Sequence, residues 1–324
     1  MYAEFYGLVR PPFEMTPDPA FLYLGETHRE GLATLLYGVQ AGKGFVLLTG
    51  EVGTGKTTLL HALLAQLDAS TASAFLFNPR LETLDFFRVL FDEFGIEKAC
   101  HTKAEYLLAL NHFLIERLER NQTTLLIIDE AQNLSPEMLE EIRLLSNLET
   151  PTSKLLQIAL VGQPELWEML GQPRLRQLRQ RIVLRHRLSP FDEEETAQYV
   201  NERLRLAGYT GGELFKKPAL REVFALTGGV PRLVNIVCDG ALLAAFARRQ
   251  VAIGADVVRE VARDLDLGPA PPPARALGNG GGNGNDNGNG HRAVAPPRRV
   301  QTRGRGWRGV FDWLRLRARQ TGGA

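Results

Sequence analysis

The chain has 324 residues, of which 44% are hydrophobic and 23% charged, and a formal net charge of +1. This is the composition of a soluble globular protein with one large or two modest domains, and it leaves no whole-chain field directed at nucleic acid or membrane. Cys100 and Cys238 lie far apart without a C-x-x-C partner, which argues against a zinc site or a disulfide framework and fits a reducing compartment.

Residues 1–24 are rich in aromatics and proline: Phe5-Tyr6-Gly7-Leu8, Pro11-Pro12-Phe13, Thr16-Pro17-Asp18-Pro19 and Phe21-Leu22-Tyr23-Leu24. The prolines forbid a long helix, so the segment is expected to pack its rings on the domain that follows. The opening MYAEFYGLVRPPF has no basic start leading into an apolar core, so no secretory signal is expected, and no apolar run approaches the ~18–20 residues of a membrane span. The expected location is the cytoplasm. Residues 27–40 place Leu32, Leu35, Leu36 and Val39 at helical spacing.

Phe45 to Leu48 then reads as a buried strand, and Gly50-Glu51-Val52-Gly53-Thr54-Gly55-Lys56-Thr57 matches G-x-x-x-x-G-K-[ST] in full. A helix follows from about residue 57 to 67. Strand, glycine loop and helix together form a phosphate site: the glycines let backbone N–H groups turn inward, and the helix N-terminus adds its positive end. Lys56 reaches the β- and γ-phosphates of ATP, the Thr57 hydroxyl ligates Mg2+, and Thr58 continues the contact surface. The N-terminal aromatics either wall one side of the adenine pocket or pack without touching nucleotide.

Residues 74–77 read as a second strand, and 82–94 and 104–119 as helices. Residues 125–130, Leu-Leu-Ile-Ile-Asp-Glu, form an apolar strand ending in two carboxylates. Beside a phosphate loop this is a Walker B strand, with Asp129 supporting the Mg2+ shell and Glu130 orienting and polarising the attacking water. Ser135 caps a helix over 136–148, with Pro136 early in it. Residues 155–161 make a fourth strand closed by Gly162-Gln163-Pro164, and 182–184 a short fifth. Alternating strands and helices predict an α/β fold, a three-layer αβα sandwich around a parallel sheet, with the ligand beyond the carboxyl ends of the strands. Ser189-Pro190 marks a hinge, after which only helical patterns occur: 192–207, 216–226, 230–248 and 254–265. The domains expected are therefore a nucleotide-binding unit over 1–188 and a small helical lid over 189–266.

Residues 267–306 are a Pro/Gly/Asn-rich linker expected to be disordered, including GNGGGNGNDNGNG at 278–290. Residues 291–324 carry nine arginines and one acid, Asp312. Within them 307–320 put Trp307, Val310, Phe311 and Leu314 on one face of a basic amphipathic helix. Such a tail suits an anionic membrane surface or a partner's groove, and its arginines also suit nucleic-acid phosphates.

Several blocks, in order and correctly spaced, carry a resemblance to the ExeA-type ATPases, the general secretion pathway A family within the AAA+ ATPases. They are Phe5-Tyr6-Gly7-Leu8, Pro12-Phe13, Thr16-Pro17-Asp18-Pro19, His28-Arg29-Glu30, Leu35-Leu36-Tyr37-Gly38 and Leu48-Thr49-Gly50-Glu51. Further on come Asp129-Glu130-Ala131-Gln132, Val161-Gly162-Gln163-Pro164-Glu165-Leu166 and Gly228-Gly229-Val230-Pro231-Arg232. The likeness covers residues 1–265; its relatives include ATPases of exosortase and exopolysaccharide loci and transposition helpers of the MuB/TniB type. It implies that Gln163 is a polar sensor of the γ-phosphate and that Arg232 is the second sensor, coupling the lid to it. It further implies that Arg179 or Arg181 reaches into a neighbour's nucleotide, so that the protein self-associates. Arg174, Arg176, Arg185 and Arg187 crowd the same stretch, so a solvated or nucleic-acid-facing basic patch is the competing account. Secretion members of the family continue into a membrane span and a peptidoglycan-binding domain; residues 266–324 carry neither pattern, so cell-wall binding is not carried over.

The expected activity is hydrolysis of Mg·ATP to drive conformational change or assembly in an envelope secretion or polysaccharide-export system, with the tail holding the protein at the cytoplasmic face of the inner membrane. The alternatives are a DNA-binding ATPase that assists transposition, carrying DNA on the arginine-rich stretch and the tail, and a nucleotide-dependent scaffold with little turnover.

Overall fold

The computed structural model describes residues 1–15, 18–77 and 81–268; the expected basic helix at 307–320, and the linker from 269 on, lie outside the described residues. Five strands form one sheet: β1 (Phe45–Gly50), β2 (Ala72–Leu76), β3 (Thr124–Ile128), β4 (Gln157–Gly162) and β5 (Ile182–Leu188). Their order is β2-β3-β4-β1-β5, and every pairing is parallel. β1, β3 and β4 are buried at every position, as apolar runs covered on both faces must be. The register sets Thr49 against Gly162 and Ile128 against Leu160. The carboxyl ends of β1, β3 and β4 are thus level and adjacent, and the residues after them share one rim.

Side chains alternate across the sheet. Phe45, Leu47, Leu126, Ile128, Ile158 and Leu160 face one layer, built from α4 (Thr83–Phe94), α5 (Lys103–Glu119), α6 (Pro136–Leu145) and the short α7 (Pro164–Leu170) and α8 (Arg176–Arg181). Val46, Leu48, Leu125, Ile127, Ala159 and Val161 face the other, where α2 (Glu26–Gln40) and α3 (Lys56–Gln66) supply Leu32, Leu35, Leu59 and Leu63. The helix ends follow local chemistry. Thr102 and Glu105 form a capping box at α5, and Ser135 accepts the Met138 N–H at 3.1 Å ahead of α6, as its position before Pro136 predicts.

A third apolar cluster is built from α9 (Glu193–Leu206), α10 (Lys217–Thr227), α11 (Pro231–Ala247) and α12 (Ala255–Asp264). Tyr6, Leu8, Phe13 and Phe21 were assigned with residues 1–188, yet they bury their side chains in this cluster. Apart from two single turns, α1 (Tyr2–Phe5) and a 3-10 turn at Pro19–Phe21, the described residues of the segment have no helical face of their own to bury, and Pro11-Pro12 keep it out of longer helix, so its rings fill grooves between the later helices. Polar contacts fix it there. Tyr2 Oη donates to Asp239 Oδ1 at 2.5 Å, Tyr6 Oη to the Gln250 carbonyl at 3.0 Å, and the buried Arg203 guanidinium to the Pro12 carbonyl. Among the described residues no helix is long and apolar enough to cross a membrane.

Candidate active site

The loop from Gly50 to Gly55 leaves β1 and enters α3 at Lys56. Gly53 and Gly55 have φ of +81° and +94°, a region open to glycine at little cost, and these turns aim the loop's backbone inward. Thr54 is buried and its hydroxyl donates to the Glu51 carbonyl at 2.8 Å, closing the loop on itself. The Lys56 ammonium, also buried, donates to the carbonyls of Gly50 at 2.8 Å and Glu51 at 3.1 Å. Burial lowers its pKa below the ordinary lysine value, while the carboxylates of Glu130 and Asp129 act in the opposite direction. A desolvated ammonium held only by neutral carbonyls is a cation poised for an anion. Glu51 and Val52 are exposed at the rim, and Glu51 pairs with Arg187 at 3.6 Å.

The end of β3 meets this loop. Thr57 Oγ1 donates to Asp129 Oδ2 at 2.8 Å, joining residues 72 positions apart in sequence. Asp129 is 1% exposed, and its other oxygen accepts the Glu130 N–H at 2.9 Å. Glu130 has φ of +52°, and a 3-10 turn, Ala131–Asn133, follows it. Its Oε2 accepts from Gln132 Nε2 at 2.5 Å and from Gln163 Nε2 at 3.4 Å, so the ends of β3 and β4 meet at one carboxylate.

Lys56, Thr57, Thr58 and Glu130 line a cleft of about 370 Å³. Its opposite walls are Arg232 at the start of α11, Phe191, Tyr199, Arg203 and Asn235 from the helical cluster, and Phe21 to Leu24 from the N-terminal segment. The aromatic segment therefore does reach the cleft while anchored among the later helices. The Arg232 N–H donates to the Gly53 carbonyl at 3.2 Å, which ties the helical cluster to the glycine loop. Arg179 and Arg181 are not among the walls. The Arg179 guanidinium lies 4.5 Å over the Trp167 ring, which Arg185 also covers at 4.3 Å, and Arg181 Nη1 donates to Ser146 Oγ.

The geometry adds residues that sequence reasoning passed over. His28, 4% exposed on α2, has Nε2 at 2.8 Å from the Thr54 carbonyl, and a Cβ at Gly55 would stand 3.2 Å from that nitrogen. Burial pulls the His28 pKa below its ordinary 6.5, so the neutral ring donates through Nε2. Gln132 and Arg203 are the others. Gln132 was legible only as part of a motif, and nothing short-range marks Arg203, which acts across almost 190 residues.

The AAA domain family matches residues 39–170. Over 250 residues, 76% of this chain, the sequence is 48% identical to general secretion pathway protein A of Aeromonas hydrophila. The matched part of the chain belongs to the AAA proteins of the general secretion pathway A type. The chain spans 45% of that relative's length. Among solved structures, the ORC2 protein of Aeropyrum pernix in its ADPNP and ADP complexes matches with a TM-score of 0.60 at 16% identity, covering 79% of this chain and 71% of that one. Cdc6p of Pyrobaculum aerophilum matches with a TM-score of 0.58 at 19% identity over 77% and 71%. At those identities the likeness is one of fold: the parallel five-stranded AAA sheet followed by helices.

Proposed function

We propose that the chain binds Mg·ATP in the cleft between the glycine loop and the helical cluster and hydrolyses it, with residues 1–188 as the nucleotide-binding unit and 189–266 as a lid, the N-terminal segment being fastened to the lid. The observation that carries this reading is the Thr57–Asp129 hydrogen bond at 2.8 Å, with Glu130 following Asp129 on the rim of the same cleft. Lys56 releases the loop carbonyls and turns to the β- and γ-phosphates, while Gly50, Glu51, Val52, Gly53, Thr54 and Gly55 surround them. Thr57 and Asp129 are the residues that would hold Mg2+, which when bound would offset phosphate charge. Glu130 holds the attacking water and takes its proton at the carboxylate. Gln163, reaching Glu130 from β4, and Arg232, bonded to Gly53, report on the γ-phosphate and on the position of the lid.

Arg179 and Arg181 lie off their own cleft, which supports a role in a neighbouring copy; either would stabilise transition-state charge there, and turnover then rises with protein concentration. The 48% identical secretion relative supports a task in envelope secretion or polysaccharide export, performed in the cytoplasm at the face of the inner membrane through residues 307–320. A second reading, a DNA-dependent ATPase assisting transposition, is favoured by six arginines between 174 and 187 with no acid among them.

The deciding experiment measures fluorescent-nucleotide binding and ATP turnover together. Lys56→Ala loses binding, and Glu130→Gln binds with turnover down by about a hundredfold or more. Wild-type turnover in Glu130→Gln removes the assignment of Glu130. Stimulation by duplex DNA that vanishes at high salt selects the second reading; concentration dependence indifferent to DNA selects the first.

A further inference from the structure

Glu130 is held by more than its own strand. Its φ of +52° is uncommon for a residue with a Cβ, and its N–H is committed to Asp129 Oδ1, so the direction in which its side chain leaves the backbone is set. The 3-10 turn Ala131–Asn133 then brings Gln132 back beside it. One amide of Gln132 serves two partners. Nε2 donates to Glu130 Oε2 at 2.5 Å, and Oε1 accepts the main-chain N–H of Gln163 at 3.0 Å. The direct Gln163 side-chain contact to Glu130 is longer, 3.4 Å, so Gln132 is the stronger tether. The end of β4 is shaped to admit this amide. A Cβ at Gly162 would lie 2.5 Å from Gln132 Oε1 and 3.0 Å from Leu166 Cδ2, so only glycine leaves the amide its place.

From this geometry we infer that Gln132 is a positioning residue: it pins one carboxylate oxygen of Glu130 against the carboxyl end of β4 and leaves the other to face the reacting water. The inference rests on the ATPase reading above. A carboxylate that must meet water and γ-phosphate in one geometry gains from having its torsions set before substrate arrives. Gln132 does not line the cleft, so it acts through Glu130 and leaves nucleotide affinity alone. The amide also ties Glu130 to the backbone of Gln163, so a shift at the end of β4 moves the carboxylate.

The test uses the full chain, with steady-state ATP turnover and fluorescent-nucleotide binding. Gln132→Met keeps the side-chain length and removes donor and acceptor; kcat falls about ten- to a hundredfold while KM and the nucleotide Kd stay within about twofold. Gln132→Glu, a second variant of the same shape, sets a like charge against Oε2 and lowers kcat at least as far. Gly162→Ala reproduces the loss in the wild-type background by displacing Oε1, and adds less than about twofold in Gln132→Ala, where the atom it would strike is gone. Wild-type kcat in Gln132→Met and Gln132→Glu, or a loss that appears in Kd as strongly as in kcat, overturns the inference. Glu130→Gln separates the two levels. If it loses turnover while the Gln132 variants keep it, only the positioning role fails; if it turns over normally, the assignment of Glu130 fails and the positioning role with it; and if the wild-type chain shows no turnover, the ATPase reading itself fails.

Discussion

Gly229 offers a direct measure of how tightly the start of the helical cluster is fitted. Its φ is +73°, its carbonyl accepts the Phe191 N–H at 3.0 Å, and a Cβ built on it would stand 1.9 Å from the Phe191 carbonyl oxygen. The closest ordinary carbon–oxygen approach is about 3.3 Å, so Gly229→Ala forces a main-chain shift of more than ~1 Å. Gly95 is the matched control: it ends α4 with φ of +67°, and a Cβ there meets nothing within 4 Å. Both substitutions place alanine in the left-handed region at about 1 kcal/mol. Only Gly229→Ala adds overpacking of about 1–3 kcal/mol and a lost backbone hydrogen bond of about 1 kcal/mol. It should therefore be destabilised by about 3 kcal/mol more than Gly95→Ala, seen as a melting temperature lower by roughly 10 °C. The rings of His28, Tyr23 and Tyr199 lie 5.1–5.7 Å from Phe191 or one another along the cleft, so nucleotide affinity falls in Gly229→Ala and not in Gly95→Ala. Equal denaturation midpoints for the two variants would refute the reasoning, because the clash would then cost nothing.

Three further outcomes are expected. The folded state lowers the His28 pKa below 6.5, so the unfolded chain takes up this proton first as pH falls; the stability from His28 is complete above 6.5 and is lost as pH drops from there toward the lowered folded value. In His28→Gln, urea midpoints lose that part of their acid dependence, and an unchanged slope would count against it. Arg203→Met leaves the buried Pro12 carbonyl without its donor and costs about 2–3 kcal/mol, with faster amide exchange in the described part of residues 1–24 as the specific sign. Thr57→Val removes the hydroxyl beside Asp129 and raises the Mg2+ concentration needed for half-maximal turnover by about tenfold or more, leaving the melting temperature within a few degrees.

The parts of the site legible in the sequence are those where chemistry sits on consecutive residues. The glycine loop and the Asp129-Glu130 pair announce themselves because each follows a run of apolar residues in a fully buried strand, and both strands lie inside the sheet. β5 was expected only over 182–184 but runs from Ile182 to Leu188. As an edge strand it alternates exposed and half-buried residues, and Arg185 and Arg187 at its open positions masked the strand pattern. The short helix α8 was missed because Arg176–Arg181 buries a single residue, Leu178, too little to set a period. The role of His28, named only within a motif, and that of Arg203 are not legible for another reason. Each gains its role from carbonyls distant in sequence, Thr54 for the first and Pro12 for the second, and a residue alone does not reveal its partner.

The fastening of Tyr2 to Asp239 and of Tyr6 to Gln250 bears on how the molecule is made. The contacts span 237 and 244 positions, so at roughly 5–20 residues per second the first aromatics leave the ribosome about 12–50 s before their partners. Through that interval Tyr6, Leu8 and Phe13 have no groove to enter, although the strands carrying the glycine loop and the acidic pair have already been synthesised. In the cleft wall, Phe21 and Tyr23 pack on the late helical cluster, whereas Leu22 and Leu24 pack on the earlier layer of α2, α3 and the sheet. On the ribosome, then, the earliest segment is among the last to be buried, and the cleft gains the Phe21 and Tyr23 side of its wall only when the late helices give the first residues their place.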